Sequence, residues 1–353
     1  MVISRTPFRI SFFGGGTDYP AWYREHGGGV LAATINKYCY LTCRYLPPFF
    51  EHRIRVVWSK IELVQSLEEI AHPAVREALR FLDCGRGLEI HHDGDLPGRS
   101  GMGSSSAFTV GLLHALHALQ GRMIGKRQLT EQAIHLEQDV LQETVGSQDQ
   151  VCAAYGGLNR IVFHRAGGFS VHPVTVPESR LKQLNSHLML YYTGIRRTAS
   201  EIASSYASGM ESRAGLLSRL QEYVERSAGI LAGEGDLDGF GSLLHDAWMA
   251  KRALSDKVSN AQIDALYAEA REAGALGGKL LGAGGGGFIL LFVPPERRQR
   301  VREQLGRLIE VPFEFEFAGS QVIYYDIEED FAEHDRARDG RVIEAFRELE
   351  DGR

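Results

Sequence analysis

The 353-residue sequence lacks several features that mark large classes of protein. Its longest apolar runs, such as the one from Phe288 to Val293, are far shorter than the roughly 20 residues that a membrane helix needs. It has only four cysteines, none in a CxxC pair, so we expect buried free thiols rather than disulfides. The first residues show no signal-peptide pattern. We therefore expect a soluble, cytoplasmic protein with no membrane partner.

The sequence also lacks a basic excess and the common nucleotide-binding motifs. Its formal net charge is −6, whereas nucleic-acid binders are usually basic, so we expect no nucleic-acid partner. No GxxxxGK[ST] segment forms a Walker A loop, and no HRD or DFG triplet marks a protein kinase. A letter match to GxGxxG at 282–287 precedes a predicted strand instead of a helix, which argues against a dinucleotide-binding fold and an NAD-dependent oxidoreductase.

Glycine, in contrast, is abundant. It accounts for 40 of 353 residues, about 11%, where about 7% is typical. Thirteen of these glycines lie in three short segments, at 14–16, 98–103 and 277–287. Because glycine lets backbone approach a ligand closely, we expect the three segments to converge on one cleft.

The middle segment has the pattern of a phosphate-binding loop. It reads DLPGRSGMGSSSA at 95–107 and leads into an apolar helix predicted at roughly 105–120. A helix N-terminus offers unpaired N–H groups and a partial positive charge, which suit an anion. The alternative is an ordinary glycine turn with a serine N-cap.

Two carboxylates downstream could serve phosphoryl transfer. Glu137 lies in a helix predicted at about 129–144, and Asp149 follows in a glycine-flanked turn, GSQDQ. Phosphoryl transfer needs a Mg²⁺ ligand and a group that positions the acceptor hydroxyl. From the residues alone, a solvated helix face for Glu137 and an N-cap for Asp149 remain the simpler interpretations.

The alternation of strand and helix patterns predicts an α+β fold with two lobes. We place a domain boundary near 173–185, with an N-terminal lobe at 1–180, a C-terminal lobe at 181–330 and a charged helical tail at 331–353. The tail is either a solvated helix or an oligomer contact, so a homodimer stays open. Helical patterns are also predicted at 63–82, 199–232 and 237–254.

Taken together, three motifs in order resemble those of the GHMP kinase family, over about residues 1–325. PGRSGMGSSSA resembles the phosphate loop PxxGLGSSA, and KLLGAGGGGF resembles the third, C-terminal glycine-rich motif. The segment from Arg9 to Asp18 has the spacing of the galactokinase motif GRVNLIGEHTDY. The resemblance implies an N-terminal lobe like ribosomal protein S5 domain 2, a ferredoxin-like C-terminal lobe, and ATP and Mg²⁺ as cofactors.

The resemblance also implies roles for individual residues. Asp149 matches the proposed catalytic base, with Arg9 beside it, and Ser104 and Glu137 match the Mg²⁺ ligands. The ATP phosphates are assigned to Gly98, Arg99, Ser100, Gly101, Met102, Gly103, Ser104, Ser105 and Ser106. Substrate binding is assigned to Gly14, Gly15, Gly16, Thr17, Asp18, Gly284 and Gly285. Arg196 is the first candidate for holding a substrate phosphate, with Lys279 and Arg99 as the others, and the alternative is that Arg196 is a surface charge.

The first motif departs from the galactokinase pattern, because Gly14-Gly15-Gly16 stands where that pattern has Gly-Glu-His. This variant, with LYYTGIRRTAS and WMAKRALSDKVSN, resembles the heptose phosphate kinases of the family. That likeness implies an ATP-dependent sugar kinase acting on the anomeric C1 hydroxyl of D-glycero-D-manno-heptose 7-phosphate, giving the 1,7-bisphosphate. The alternatives are a neutral-sugar kinase of the fucose, mannose or galactose type, and a catalytically silent sugar sensor.

Overall fold

The chain folds into two β-sheets flanked by helices. The computed structural model describes residues 1–84, 87–195, 211–233, 235–327 and 331–338. The strands are β1 Val2–Phe13, β2 Gly28–Tyr45, β3 Ile54–Val57, β4 Ile61–Val64, β5 Leu88–Gly94, β6 Leu158–Phe163, β7 Phe169–Pro173, β8 Leu188–Tyr192, β9 Gly277–Leu280, β10 Phe288–Phe292, β11 Ile309–Glu310, β12 Phe315–Glu316 and β13 Gln321–Tyr325. The α-helices are α1 Pro20–His26, α2 Pro73–Phe81, α3 Ser104–Leu119, α4 Lys126–His135, α5 Gln148–Tyr155, α6 Glu178–His187, α7 Ala214–Ala232, α8 Asp238–Arg252, α9 Ala261–Glu272, α10 Arg298–Gln304 and α11 Ala332–Arg338. The predicted α+β class is therefore confirmed.

The larger sheet has nine strands and is built around the long strand β2. Its main path runs β13-β1-β2-β5-β3-β4, and β6 and β12 also pair with β2, while β7 pairs with β6. The smaller sheet is antiparallel, with the order β11-β8-β10-β9. The last two strands of the chain thus return to the first sheet, within the range 181–330 that the sequence assigns to the second lobe. The domain bounds stay a prediction. The pairing of β12 with β2 and of β13 with β1 shows that the polypeptide returns to the first sheet after the second.

One aromatic cluster joins the end of β1 to the second sheet. The ring of Phe240 on α8 lies 5.6 Å from that of Phe12 and 5.1 Å from that of Phe13, both in edge-to-face geometry. The ring of Phe292 on β10 lies 5.9 Å from Phe240 on the other side. All four side chains are fully buried, so their apolar contacts fix where β1 ends relative to α8.

Several predicted elements have different bounds in the structure. The helical pattern at 63–82 overlaps the end of strand β4 and includes a short 3₁₀ turn before α2. Helix α2 begins at Pro73, and proline suits the first helical turn. The glycine-flanked turn predicted around Asp149 leads into helix α5, and most of helix α6 lies in the segment 173–185 where we place the domain boundary. Both short helices have little periodic pattern over so few residues.

Some predictions fall partly outside the described residues. Of the helix predicted at 199–232, the structure describes α7, and of the tail at 331–353 it describes α11. None of the helices in the described ranges has both the length and the apolar character needed to cross a membrane.

Candidate active site

The three glycine-rich segments meet at one cleft with a volume of about 560 Å³. Its lining includes Arg9, Ser11, Gly15, Gly16, Asp18, Arg99, Gly101, Gly103, Ser104, Ser105, Ser106, Glu143, Gln148, Asp149, Lys251, Gly282 and Ala283. The expectation that these segments converge is therefore confirmed.

Because glycine has no side chain, the backbones of the phosphate-loop segment and of the third glycine segment contact each other directly. A Cβ atom on Gly282 would lie 2.5 Å from the Cα atom of Gly101, closer than real Cβ atoms approach. A Cβ atom on Gly287 would overlap the carbonyl oxygen of Ser100. The glycines at 282 and 287 are therefore needed for the close contact of two loops. This accounts for the GxGxxG letter match without a dinucleotide site.

Arg9 and Asp149 form a two-pronged ion pair at the centre of the cleft. The Nε atom of Arg9 donates to Asp149 Oδ1 at 2.7 Å, and a terminal nitrogen donates to Oδ2 at 2.8 Å. The other terminal nitrogen donates to the carbonyl oxygen of Gly101 at 2.7 Å. Burial opposes the charged form of Arg9, but Asp149 outweighs it and raises the pKa of the guanidinium. Arg9 thus fixes the carboxylate of Asp149 against the phosphate loop.

The positions of Arg9 and Asp149 are set by the strand and the helix that carry them. Arg9 lies on β1, and its backbone N–H donates to the carbonyl of Met102 at 3.0 Å, which docks the loop on the strand. Asp149 lies in the first turn of α5, where the helix dipole favours a negative charge. A Cβ atom on Gly103 would lie 3.1 Å from Arg9 Cγ and 3.4 Å from Asp149 Oδ2, so that glycine keeps the pair next to the loop.

The phosphate-loop segment ends in a helix N-terminus open to the cleft. Gly103 has φ +74°, and α3 begins at Ser104, so that three serines occupy the first turn. The Ser104 hydroxyl accepts the backbone N–H of Arg99 at 3.1 Å, and Ser100 donates to the carbonyl of Pro97 at 2.6 Å. Gly98 and Arg99 are exposed at the rim, and Met102 is fully buried beneath the loop. The arrangement offers backbone N–H groups to an anion.

Glu137 is fully buried and not on a solvated face. It lies in a π-helical turn, Leu136–Val140, that continues α4, a geometry common at functional sites. Its Oε2 atom accepts from Ser106 Oγ at 2.8 Å and from the amide of Gln150. Burial raises the pKa of Glu137 to about 7. Among the described residues, no hydrogen bond of ordinary geometry reaches Oε1, although the Thr109 hydroxyl is close enough to lower the pKa of the carboxyl against the larger effect of burial.

These residues fit a Mg²⁺ ion that shares its coordination with a nucleotide. The unpaired Oε1 of Glu137 and the hydroxyls at the start of α3 are oxygen donors of the type that Mg²⁺ prefers. Within the described ranges, no cluster of three or more His, Cys, Asp and Glu side chains could hold a metal alone. In the structure the hydroxyl that contacts Glu137 belongs to Ser106, whereas Ser104 accepts from the loop.

We expect Glu137→Gln to raise the stability of the metal-free protein and to abolish its stabilisation by Mg²⁺. Since the folded-state pKa of about 7 lies above the usual 4.5, the ionised side chain destabilises the fold increasingly as pH rises from 4.5 to 7. At pH 8 without metal, we expect the variant to gain up to about 3 kcal/mol of unfolding free energy. The gain in melting temperature on adding Mg²⁺ and ATP should be lost. Unchanged Mg²⁺ dependence would contradict the metal role, and the exposed Glu131→Gln is the control.

The first glycine segment divides between the fold and the cleft. Thr17 is fully buried, and its hydroxyl lies 2.8 Å from the carbonyl oxygen of Gly14 and accepts the N–H of Gly29 on β2 at 3.1 Å. Gly14 and Thr17 therefore close the turn onto β2 and do not line the cleft. Gly15, Gly16 and Asp18 do line it.

Asp18 is buried and held by the protein itself. Its Oδ1 atom accepts the N–H of Gly16 at 2.9 Å, and its Oδ2 atom accepts from Gln148 Nε2 at 2.9 Å. Burial raises its pKa above the usual value. Asp18 thus connects the first glycine segment to α5.

Other residues expected at the substrate lie elsewhere. Lys279 on β9 is buried and donates to the carbonyl of Phe12 at 3.0 Å, and it does not line the cleft. Gly284 and Gly285 pack on Val258, and the N–H of Gly285 donates to its carbonyl at 2.9 Å. Arg196 lies outside the described residues.

The structure adds Lys251, on α8, to the cleft. Its side chain is 6% exposed and donates to the carbonyl of Gly282. No carboxylate of the described chain lies within ion-pair distance of it. Burial, followed by the charge of Arg9, lowers its pKa to about 8. A sequence signal exists, because Lys251 continues the buried helical stripe of Leu244 and Trp248.

Models of one protein family match both halves of the chain. The GHMP kinases N terminal domain matches residues 66–157, and the GHMP kinases C terminal domain matches residues 221–310. The first match contains the phosphate-loop segment, Glu137 and Asp149, and the second contains Lys251 and the third glycine segment.

Similar proteins include sugar kinases. The D-glycero-alpha-D-manno-heptose 7-phosphate kinase of Campylobacter jejuni is 26% identical over 86% of this chain and 92% of that protein. The L-fucokinase/L-fucose-1-P guanylyltransferase of Bacteroides fragilis is 28% identical over 86% of this chain and 36% of that longer protein. A crystal structure of a D-glycero-D-manno-heptose 1-phosphate kinase from Bacteroides thetaiotaomicron has a TM-score of 0.74 at 24% identity, covering 92% of this chain and all of that one. The predicted two-lobed architecture is thereby confirmed, and the chain belongs to the GHMP kinase family of ATP-dependent phosphotransferases.

Proposed function

We propose that this protein transfers the γ-phosphoryl group of ATP to the anomeric C1 hydroxyl of D-glycero-D-manno-heptose 7-phosphate, giving the 1,7-bisphosphate. The observation that carries the proposal is the Arg9–Asp149 pair, which stands at the glycine loop and helix start suited to the ATP phosphates. A fixed carboxylate beside a phosphate site is the arrangement that phosphoryl transfer to a hydroxyl requires.

In this mechanism, Asp149 receives the proton of the attacking hydroxyl. The acceptor oxygen forms a bond to the γ-phosphorus while the bond from that phosphorus to the bridging oxygen breaks, and ADP leaves. Arg9 occupies two lone pairs of the carboxylate and leaves others to accept from the sugar. It therefore orients Asp149 towards the acceptor hydroxyl.

Two positive charges in the cleft, those of Arg9 and Lys251, are available to the phosphoryl group. Lys251 is held on the third glycine segment, which packs on Gly101, and Gly101 in turn bonds to Arg9. Each cation is thus bonded to one of the two glycine segments that touch at Gly101, and both can stabilise the negative charge that develops on the transferring group. A bound Mg²⁺ would neutralise charge on the β- and γ-phosphates, with Glu137 and the serines of α3 as its protein ligands.

The choice of a heptose phosphate rests on the Campylobacter relative, whose similarity covers nearly the whole of both chains. The fucokinase relative favours a neutral sugar as the second candidate. The names of the two heptose kinases differ in the position of the phosphate, so both heptose phosphates belong in the test.

A coupled assay of ADP release tests the proposal on a panel of heptose 7-phosphate, heptose 1-phosphate, fucose, mannose and galactose. We expect the highest kcat/KM with heptose 7-phosphate. Turnover of an unphosphorylated sugar alone would replace the heptose phosphate by a neutral sugar. Sugar binding without ADP release would indicate a silent sensor.

A further inference from the structure

Two buried polar atoms on the wall of the cleft have no hydrogen-bond partner in the described ranges of the chain. They are the hydroxyl oxygen of Ser11 on β1 and the amide oxygen of Gln148 on α5. The two residues are 4% and 8% exposed, and both line the cleft. Leaving such groups unpaired is costly, so a ligand that paired both atoms would be favoured at this part of the wall.

The two side chains flank one opening, which exists because residue 15 has no side chain. A Cβ atom on Gly15 would lie 3.6 Å from Ser11 Oγ and 3.8 Å from Gln148 Nε2. We call the space bounded by Ser11, Gly15 and Gln148 the Gly15 niche. It lies on the face of β1 that also carries Arg9, two residues before Ser11.

Neighbouring contacts fix which atom Gln148 presents. Its Nε2 atom donates to Asp18 Oδ2 at 2.9 Å, and the other oxygen of Asp18 is held by the N–H of Gly16. A carboxylate accepts hydrogen bonds, so the amide nitrogen faces Asp18 and the amide oxygen is left for the ligand. Asp18 is therefore a positioning residue for the niche.

On the basis of the proposed sugar kinase function, we propose that the Gly15 niche binds two hydroxyl groups of the acceptor sugar. Gln148 Oε1 accepts a hydrogen bond from one hydroxyl, and Ser11 Oγ pairs with a second oxygen, as donor or acceptor. A phosphate is disfavoured here, because it carries no proton for Gln148 and would stand beside the buried carboxylate of Asp18. The niche thus recognises hydroxyl groups of the acceptor sugar and not its phosphate.

Three variants test the niche by different means. Gly15→Ala fills it without strain, since its Cβ atom would meet both neighbours at ordinary contact distance. Ser11→Ala removes the hydroxyl, and Gln148→Met removes the amide oxygen together with the amide nitrogen that donates to Asp18. We expect each variant to raise the KM for the acceptor sugar about tenfold, with the KM for ATP within about twofold of the parent. Gly229→Ala, on α7 with open space around it, is the glycine control.

Deoxy sugars separate recognition from a general loss of structure. For an acceptor that lacks the hydroxyl bound by Gln148, the parent and Gln148→Met should have the same KM. For the complete sugar, the KM of the variant should be higher. Unchanged sugar KM values in all three variants, or equal increases for sugar and ATP, would overturn the niche. If the parent phosphorylates none of the sugars, the proposed function fails. Calorimetric binding of heptose 7-phosphate then still tests the niche, since weaker binding in all three variants supports it and equal binding overturns it.

Discussion

Asp149→Asn is expected to lower kcat by about 10³-fold or more while ATP binding stays within about twofold of the parent. An asparagine keeps the size and can still accept from Arg9, but its amide cannot take the proton of the acceptor hydroxyl. Steady-state kinetics with the best acceptor, together with calorimetric titration of an ATP analogue, measure both effects.

The control for this substitution is Asp139→Asn. Asp139 is an exposed aspartate whose partner is His135, one turn earlier on the surface. We expect that variant to retain the parent kcat. Retention of near-full kcat by Asp149→Asn would end the assignment of Asp149 as the base, although the family membership would stand.

Lys251→Met is expected to lower kcat by about 10²-fold and at the same time to stabilise the fold. The buried ammonium has a pKa of about 8 instead of 10.5, so it destabilises the folded state below pH 8. This penalty, roughly 3 kcal/mol, fades as pH rises from about 8 towards 10.5. A methionine of similar length removes it, and we expect a higher melting temperature at pH 7.

The pH profile distinguishes a catalytic lysine from a structural one. If Lys251 must be charged to act on the phosphoryl group, kcat/KM of the parent falls as pH rises through about 8, and the variant lacks this limb. Lys182→Met, on the exposed surface of α6, is the matched control and should change neither quantity. A destabilised Lys251→Met with parental kcat would show that the lysine serves packing alone.

The sequence carries much of this site because its parts are local. Phosphate loops depend on glycines and a helix start that are adjacent in the chain, so the pattern at 98–106 could be identified directly. The pairing of Arg9 with Asp149 spans 140 residues, and only the family resemblance brought the two together. The structure then supplied the geometry of that pair.

Other parts depend on packing that no local pattern carries. Lys279 looked suited to an anion because glycines surround it, yet strand pairing turns its side chain towards the carbonyl of Phe12. Lys251 falls within the helix predicted at 237–254, and only the packing of the buried stripe of α8 places it in the cleft. Ser11 and Gln148 gained significance only because folding leaves one polar atom of each unpaired.

The central claim is that this cleft transfers a phosphoryl group from ATP to the anomeric hydroxyl of a heptose phosphate. The most direct test is the ³¹P NMR spectrum of a reaction containing the protein, ATP, Mg²⁺ and heptose 7-phosphate. We predict equal growth of ADP and of a second sugar phosphate signal coupled to the anomeric proton. A spectrum without ADP formation, or with the new phosphate coupled to any other proton, would contradict the account.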